Sequence, residues 1–284
     1  MQLMTARIVD EFGNPEKEMP QIRGRYDYST QFVKRCAEKF QWKDLSEDVI
    51  MDIGCGVEMN CCKAILTQFP DVRALIAVDK QSTVFQQAHF RDRRISSCVG
   101  NILERDSLKM YEGKMNKIIS TNTFHQINDK EVAFRNVYHL LKPGGEAGFF
   151  FVVNSCMYKF LMALSELPKY AAIKGTLPEN LYQPDHGSQY YEEMLEKIGF
   201  KDVRAFEEDE RIPFDTDECF KDAVLQRLKV TLKISPEAVE TFEKELLELY
   251  ETKVCRYEGK LCYVSVHLNL LGVKPMECSD SKSK

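Results

Sequence analysis

The sequence predicts an α/β fold: a doubly wound, mostly parallel sheet covered by helices on both faces, followed by an α-helical lid. Three observations carry that expectation. Val49 to Ile53 is a short apolar run that passes through Gly54 and Gly56 into a helix-like segment at Asn60, the layout of a buried strand, a tight turn and a helix. From there to Val153, apolar strands alternate with amphipathic helices. After Cys156 the alternation stops and helical patterns dominate.

Each element follows from its own spacing. Residues 29–42 put Phe32, Val33, Cys36, Ala37 and Phe40 on one helical face. Residues 75–78, closing on Asp79, read as the second strand, 97–99 as a third ending at Gly100-Asn101, 117–120 as a fourth and 148–153 as a fifth. Between them, 60–68, 82–90 and 131–141 read as helices. The last of these carries Val132, Ala133, Phe134, Val137, Leu140 and Leu141 on its apolar face and is stopped by Lys142-Pro143-Gly144-Gly145. Proline cannot continue a helix, and glycine ends one cheaply. Beyond Cys156, residues 156–181 read as a helical stretch broken by Pro168, Gly175 and Pro178, and 190–198 as a helix closed by Gly199. Residues 203–206 read as a strand, 217–232 and 236–252 as amphipathic helices (the second with Ser235 as N-cap), and 263–271 as an alternating strand. The expected organisation is a polar arm at 1–25 and a ligand-binding α/β core at 26–154. A helical lid with the last two strands of the same domain follows at 155–275, then a disordered tail at 276–284.

The net charge of −5, with no basic cluster, speaks against nucleic acid as partner, because displacing counterions from phosphates needs a lysine- and arginine-rich surface. A small molecule is the expected ligand, and nothing in the pattern specifies an oligomer. The longest apolar run, 148–153, is far too short for a membrane span. Met1 to Asn14 has no sustained apolar core, so no secretory signal is expected. The ten cysteines are irregularly spaced and form no CxxC pair. They read as reduced, mostly buried thiols of a cytoplasmic protein, and no metal site is expected.

Three polar residues stand at strand ends: Asp52, Asp79 and Asn101. In a doubly wound sheet the ligand sits outside the carboxyl ends of the strands. A carboxylate there accepts from hydroxyl or amino donors and repels phosphate, so the ligand carries ribose hydroxyls or an amino group rather than a pyrophosphate. Two glycines let it lie against bare backbone. Asp79 would accept two hydrogen bonds from a ribose diol, and the amide oxygen of Asn101 one from an adenine amino group. The alternatives are a helix N-cap for Asp79 and a turn residue for Asn101.

Taken in order, Val-Ile-Met-Asp-Ile-Gly-Cys-Gly at 49–56, the strand ending in Asp79, Gly100-Asn101 and Leu-Leu-Lys-Pro-Gly-Gly at 140–145 resemble the class I S-adenosylmethionine-dependent methyltransferases. That resemblance implies a seven-stranded Rossmann-like sheet whose last two strands form an antiparallel hairpin. It implies S-adenosyl-L-methionine as cofactor, with Asp52, Gly54, Cys55, Gly56, Asp79, Lys80, Asn101, Ile102 and Ser120 as the cofactor-binding set.

Ser29-Thr30-Gln31, the run Ser-Thr-Asn-Thr-Phe-His-Gln-Ile at 120–127, and residues 191–203 are similar to the arthropod juvenile hormone acid methyltransferases. Those enzymes methylate the carboxylate of a long isoprenoid acid. The likeness implies a small apolar carboxylic acid, such as farnesoic acid, as substrate. Gln31 and Gln126 would hydrogen-bond its carboxylate and His125 would shape the floor; the alternatives are an exposed helical residue for Gln31 and a core histidine for His125. The apolar positions between Cys156 and Leu181, among them Met157, Tyr158, Phe160, Leu161, Met162 and Leu164, read as a roof over the site or as plain core packing. An ionised carboxylate needs no general base, so the lack of a Cys/His or Lys/Glu catalytic pair is expected.

Three positions depart from the pattern. Glu58 stands where the family usually has a third glycine, Asn101 where it has an acid, and His125-Gln126 where the hormone enzymes have His-Trp. These departures favour a second reading, a ligand-binding or scaffold protein of the same fold. Other acceptors lack their marks. Residues 120–124 hold no Asn/Asp-Pro-Pro-aromatic run for base amino groups, no Pro-Cys pair serves cytosine C5, and only Asp129 is near for a metal-assisted reaction.

Overall fold

The computed structural model describes residues 25–171, 186–220, 222, 225, 228, 236–253, 256–257 and 259–276. The expected arm at 1–24, the segment 172–185, most of the expected helix at 217–232 with Ser235, and the tail at 277–284 lie outside the described residues.

The chain runs α1 (Arg25–Phe40), β1 (Val49–Ile53), α2 (Asn60–Gln68), β2 (Ala74–Asp79), α3 (Ser82–Gln87), β3 (Ile95–Val99) and β4 (Met115–Thr121). It continues through α4 (Lys130–Leu140), β5 (Leu141–Ser155), α5 (Cys156–Ser165), α6 (Ser188–Ile198) and β6 (Lys201–Pro213). Last come α7 (Asp217–Phe220), α8 (Val239–Lys253), β7 (Arg256–Tyr257) and β8 (Lys260–Val273). Short 3-10 turns occupy Arg105–Tyr111 and Phe124–Gln126.

The strands are ordered β3-β2-β1-β4-β5-β8-β6, with the two-residue β7 pairing antiparallel to β8. The pairings β1–β2, β1–β4, β2–β3 and β4–β5 are parallel. The seven-stranded path matches expectation, and β8 and β6 are neighbours in it. They are not joined by a tight turn: residues 214–259, with α7, α8 and β7, are inserted between them. From β1 the chain goes outward to β2 and β3 and then returns to β4 on the other side of β1. This reversal opens a crevice at the carboxyl tips of β1 and β4, where such sheets bind ligands.

Burial on both faces explains why the strands read as continuous apolar runs. Successive side chains of β5 alternate: Phe149 and Phe151 join Met51, Ile118, Phe124, Phe134, Tyr191 and Leu195 on one face. Phe150 joins Phe32, Val33, Cys36, Ile50, Ile65 and Leu75 on the other. At the amino-terminal edge of the sheet, Lys117 is held by Glu146 at 2.8 Å and Asp48 at 3.2 Å. Its Nζ lies 5.0 Å from the ring centroid of Trp42, whose indole N–H donates to Glu146 at 2.6 Å.

Two strands are longer than the sequence pattern suggests. β5 begins directly after α4, and the Lys-Pro-Gly-Gly stop lies inside it as an irregularity: Met115 pairs with Leu141, but Lys117 pairs with Glu146. A side chain at Gly145 would strike the carbonyl of Lys142 at 2.9 Å, so the irregularity needs glycine there. β6 is an edge strand carrying Glu207, Glu208, Asp209 and Glu210, and such charge blunts an edge while hiding the strand from a hydrophobicity reading.

The described chain forms two compact units. One holds residues 25–154, 186–208 and 266–276, and with them the two apolar clusters above. The other holds residues 155–171 and the described part of 209–265, around Phe160, Leu164, Tyr170, Phe242, Leu246 and Tyr250. Tyr250 donates to the carbonyl of Cys262 at 2.7 Å there. Phe160 and Leu164, expected to roof the acceptor site, are fully buried in this second core. Among the described residues, no helix is long and apolar enough to cross a membrane.

Candidate functional site

The turn after β1 is built on positive backbone angles. Gly54 has φ +74°, Gly56 φ +61° and Met59, just before α2, φ 48°. The two glycines differ in what they face. A Cβ on Gly54 would lie 2.2 Å from Thr123 Oγ1, and Thr123 in turn donates to the Gly54 carbonyl at 3.1 Å. A Cβ on Gly56 would meet nothing within 4 Å. Gly54 is therefore closed against the β4 turn, and Gly56 presents bare backbone to open space, the cradle a ligand needs. Glu58 leaves that space empty. Its side chain is 63% exposed and pairs with Lys63 at 3.5 Å, one turn along α2.

Asp79, at the tip of β2, is tied to this turn. Its Oδ2 accepts from the Gly56 N–H at 3.2 Å and its Oδ1 from the Gln81 N–H at 3.0 Å. The backbone N–H groups of Gly54 and Cys55 bond the Val78 carbonyl at 2.8 and 3.0 Å, and the Gly100 N–H bonds the Asp79 carbonyl. Each carboxylate oxygen keeps a further lone pair. Asp79 is half-buried and Lys80 beside it is exposed.

Asp52 is placed differently. It is 1% exposed, beneath the turn, and its Oδ2 accepts from the Cys62 thiol at 3.2 Å. Burial raises its carboxyl to about 7, the Cys62 hydrogen bond pulls it back down, and the charge of Asp79 adds to the rise. Cys55 at the turn and Cys61 and Cys62 on α2 are buried, and that burial pushes their thiols well above the usual range. A thiolate nucleophile is not at hand here. All eight described cysteines are free, six of them buried.

Asn101 spends its amide locally. Its Oδ1 accepts from the Leu103 N–H at 3.1 Å and its Nδ2 donates to Glu104 at 2.9 Å, forming an Asx turn that leads into the 3-10 segment. Ile102 is 6% exposed and packs in the core, with its carbonyl held by Asn136 at 2.7 Å. Ser120, 1% exposed, donates to the Ile53 carbonyl at 2.7 Å and so joins the ends of β1 and β4 under Gly54.

Of the residues expected on the acceptor side, His125 and Gln126 follow the tip of β4, and Ser29 of α1 touches that tip. Ser29 Oγ lies 3.0 Å from Thr121 Oγ1, fixing the start of α1 to the tip of β4. Gln31 follows on α1, exposed. His125 and Gln126 lie on the 3-10 turn after β4, with their Nε2 atoms 3.4 Å apart. His125 is 7% exposed and Gln126 is exposed. That turn is anchored by Lys130, which donates to the Ile127 carbonyl at 2.8 Å, and by Asp129, which caps α4 through the Val132 N–H at 2.9 Å. Asp129 is thus a helix cap. Thr123 lies outside the expected set, because the turn it holds lies far off in the chain.

The comparisons bear on the family and the fold. Residues 44–199 match a family described as a methyltransferase domain. The chain is 25% identical over 175 residues to a juvenile hormone acid O-methyltransferase of Drosophila melanogaster, a match covering 58% of each. It is 24% identical over 173 residues to that of Bombyx mori, covering 59% of this chain and 61% of the relative. The matches therefore span only about three fifths of these relatives. Among solved structures, the YcgJ protein of Bacillus subtilis superposes with a TM-score of 0.56 at 15% identity, over 87% of this chain and 98% of that one. A Haemonchus contortus phosphoethanolamine N-methyltransferase, solved with phosphomonomethylethanolamine and S-adenosylhomocysteine, does so with a TM-score of 0.51 at 14% identity, over 89% and 56%. At such identities these structures speak for the fold alone. The family match covers more than half of the chain, and this protein belongs to the methyltransferase-domain family.

Proposed function

We propose that the protein is an S-adenosylmethionine-dependent O-methyltransferase acting on the carboxylate of a small apolar acid of isoprenoid type. The observation that carries the cofactor reading is the coupling of Asp79 to Gly56: a strand-tip carboxylate with lone pairs to spare, hydrogen-bonded to a glycine whose outer face is open. These residues fit a nucleoside. Asp79 would accept from the ribose hydroxyls, Gly54, Cys55 and Gly56 would offer backbone to the amino-acid end, and Lys80 would lie beside the sugar. Asn101 and Ile102 would border the base, Asn101 through the second lone pair of its Oδ1. Asp52 and Ser120 would hold the turn from beneath. Bound there, S-adenosylmethionine supplies an electrophilic methyl group on a sulfonium.

The acceptor reading is supported by the similarity to the hormone enzymes and by the pairing of His125 with Gln126 after the tip of β4. Gln31 and Gln126 would donate to one carboxylate and His125 would lie beneath it. A carboxylate is ionised at neutral pH, so the protein needs to orient and desolvate rather than remove a proton. Orientation alone can be worth roughly 7–11 kcal/mol in ideal cases. The free, mostly buried thiols suit a reducing, cytoplasmic setting.

A transfer assay with tritiated methyl donor tests this reading, run over farnesoic acid, related isoprenoid acids and medium-chain fatty acids. Label in the ester of an isoprenoid acid is the expected result. Transfer to none of these acids by protein that binds the donor would remove the acceptor assignment and leave the cofactor site.

A further inference from the structure

His267 lies on β8. Phe150 of β5 is in register with Thr121 at the tip of β4. The His267 ring stacks on Phe150 at 5.0 Å and 19°, and lies 5.4 Å from Tyr28 of α1. Tyr28 and Phe150 are themselves 5.8 Å apart, and Ser29 next to Tyr28 holds Thr121. The imidazoles of His125 and His267 are shielded from bulk water, at 7% and 6% exposure. We propose that His267 is an acceptor-binding residue, which with His125 forms a hydrogen-bonding seat for the carboxylate of the acid, beside the rings of Tyr28 and Phe150.

The chemistry favours such a seat. In the transfer one carboxylate oxygen forms a bond to the methyl carbon as the carbon–sulfur bond breaks, and the sulfur keeps the electron pair. A carboxylate and a sulfonium become a neutral ester and a neutral thioether, and no proton moves. Charge therefore fades towards the transition state, and a fixed cation beside the carboxylate would stabilise the ground state more than the transition state. A neutral imidazole N–H aims the oxygen without that cost. An amine acceptor would need a base instead. Burial, helped by the nearby His125, lowers His267 to about 4, so it is a poor base at neutral pH.

This inference rests on the acceptor reading above, and the test separates the two. Histidine-labelled protein loaded with S-adenosylhomocysteine is titrated with farnesoic acid while the ring signals of the five histidines are followed by NMR. Two signals, those of His125 and His267, are expected to move. In parallel, His267→Phe keeps the stacking and removes the donor. It is expected to raise KM for the acid about tenfold, the scale of one hydrogen bond to a charged group, and to leave the cofactor Kd within about twofold. His267→Gln restores a donor and should recover most of the loss. Wild-type turnover of the acid with no histidine signal moving, or His267→Phe kinetics equal to wild type, would overturn the role of His267 and leave the acceptor reading standing. Should His267→Phe fail to fold, the wild-type titration decides. Wild-type protein that bound no S-adenosylhomocysteine would bring down the underlying reading, and this one with it.

Discussion

Asp52 shows how far a residue's surroundings can differ from what its place in a motif suggests. It follows an apolar run and precedes a glycine turn, so its position at a strand end is legible in the sequence. Its partner is not, because Cys62 comes round from the next helix only in the folded chain. The folded pKa, about 7, lies above the ordinary carboxylate value of about 4. The native state therefore holds this proton more tightly than the unfolded chain. The resulting stabilisation is complete below the unfolded value and is lost as pH rises through the folded one. Asp52→Asn should gain thermal stability relative to wild type between about pH 4 and pH 7, with the gap level above that range. Melting temperatures of both proteins across this range check it, and a flat difference would show that Asp52 does not titrate there. Gln31 makes a complementary case. It is exposed on α1, two residues from Ser29, which holds Thr121. Gln31→Ala should slow turnover about tenfold while the donor Kd stays within twofold, the pattern for a group that meets only the acceptor. Unchanged rates with every acid would remove Gln31 from the site.

At the scale of elements, legibility follows how local the cause is. β1 and α2 fall where the pattern puts them, because an apolar run, a glycine turn and a helical spacing are all local signals. β6 reads as four residues and is thirteen, because charged side chains on an edge carry no hydrophobic signature. β5 takes in its own Pro-Gly-Gly because β4 supplies pairing that no local rule foresees. The charged cluster at the amino-terminal ends of β4 and β5 is likewise invisible in the sequence, where Asp48, Lys117 and Glu146 are far apart. Lys117 is 9% exposed, and removing it would leave two carboxylates and an indole N–H around an empty centre. Lys117→Ala should cost about 3 kcal/mol of stability, the scale for breaking a buried ion pair. Urea unfolding measures this as a lower midpoint at unchanged slope. A loss below about 1 kcal/mol would place the pair with the weak surface ion pairs.

For the whole molecule, a single arrangement organises the chemistry. The strand order reverses at β1, and everything assigned to the cofactor stands on the tips of β1, β2, β3 and β4. The parallel half of the sheet was legible because each strand is followed by its own turn signal. The unit built around Tyr170 and Tyr250 was legible only as helical spacing, since its contacts join segments far apart in sequence. What the fold contributes is a rigid edge on which Gly56 faces open space and Asp79 reaches across to it. Calorimetric titration of the full chain with S-adenosylmethionine, alongside Asp79→Ala, tests that claim most directly. The account predicts one binding event per chain in the wild type. It predicts at least about tenfold weaker binding in the variant, which loses the charged group that accepts the hydrogen bonds of the ribose hydroxyls. Wild-type protein that gave neither heat nor thermal shift, or a variant that bound as tightly as wild type, would contradict it.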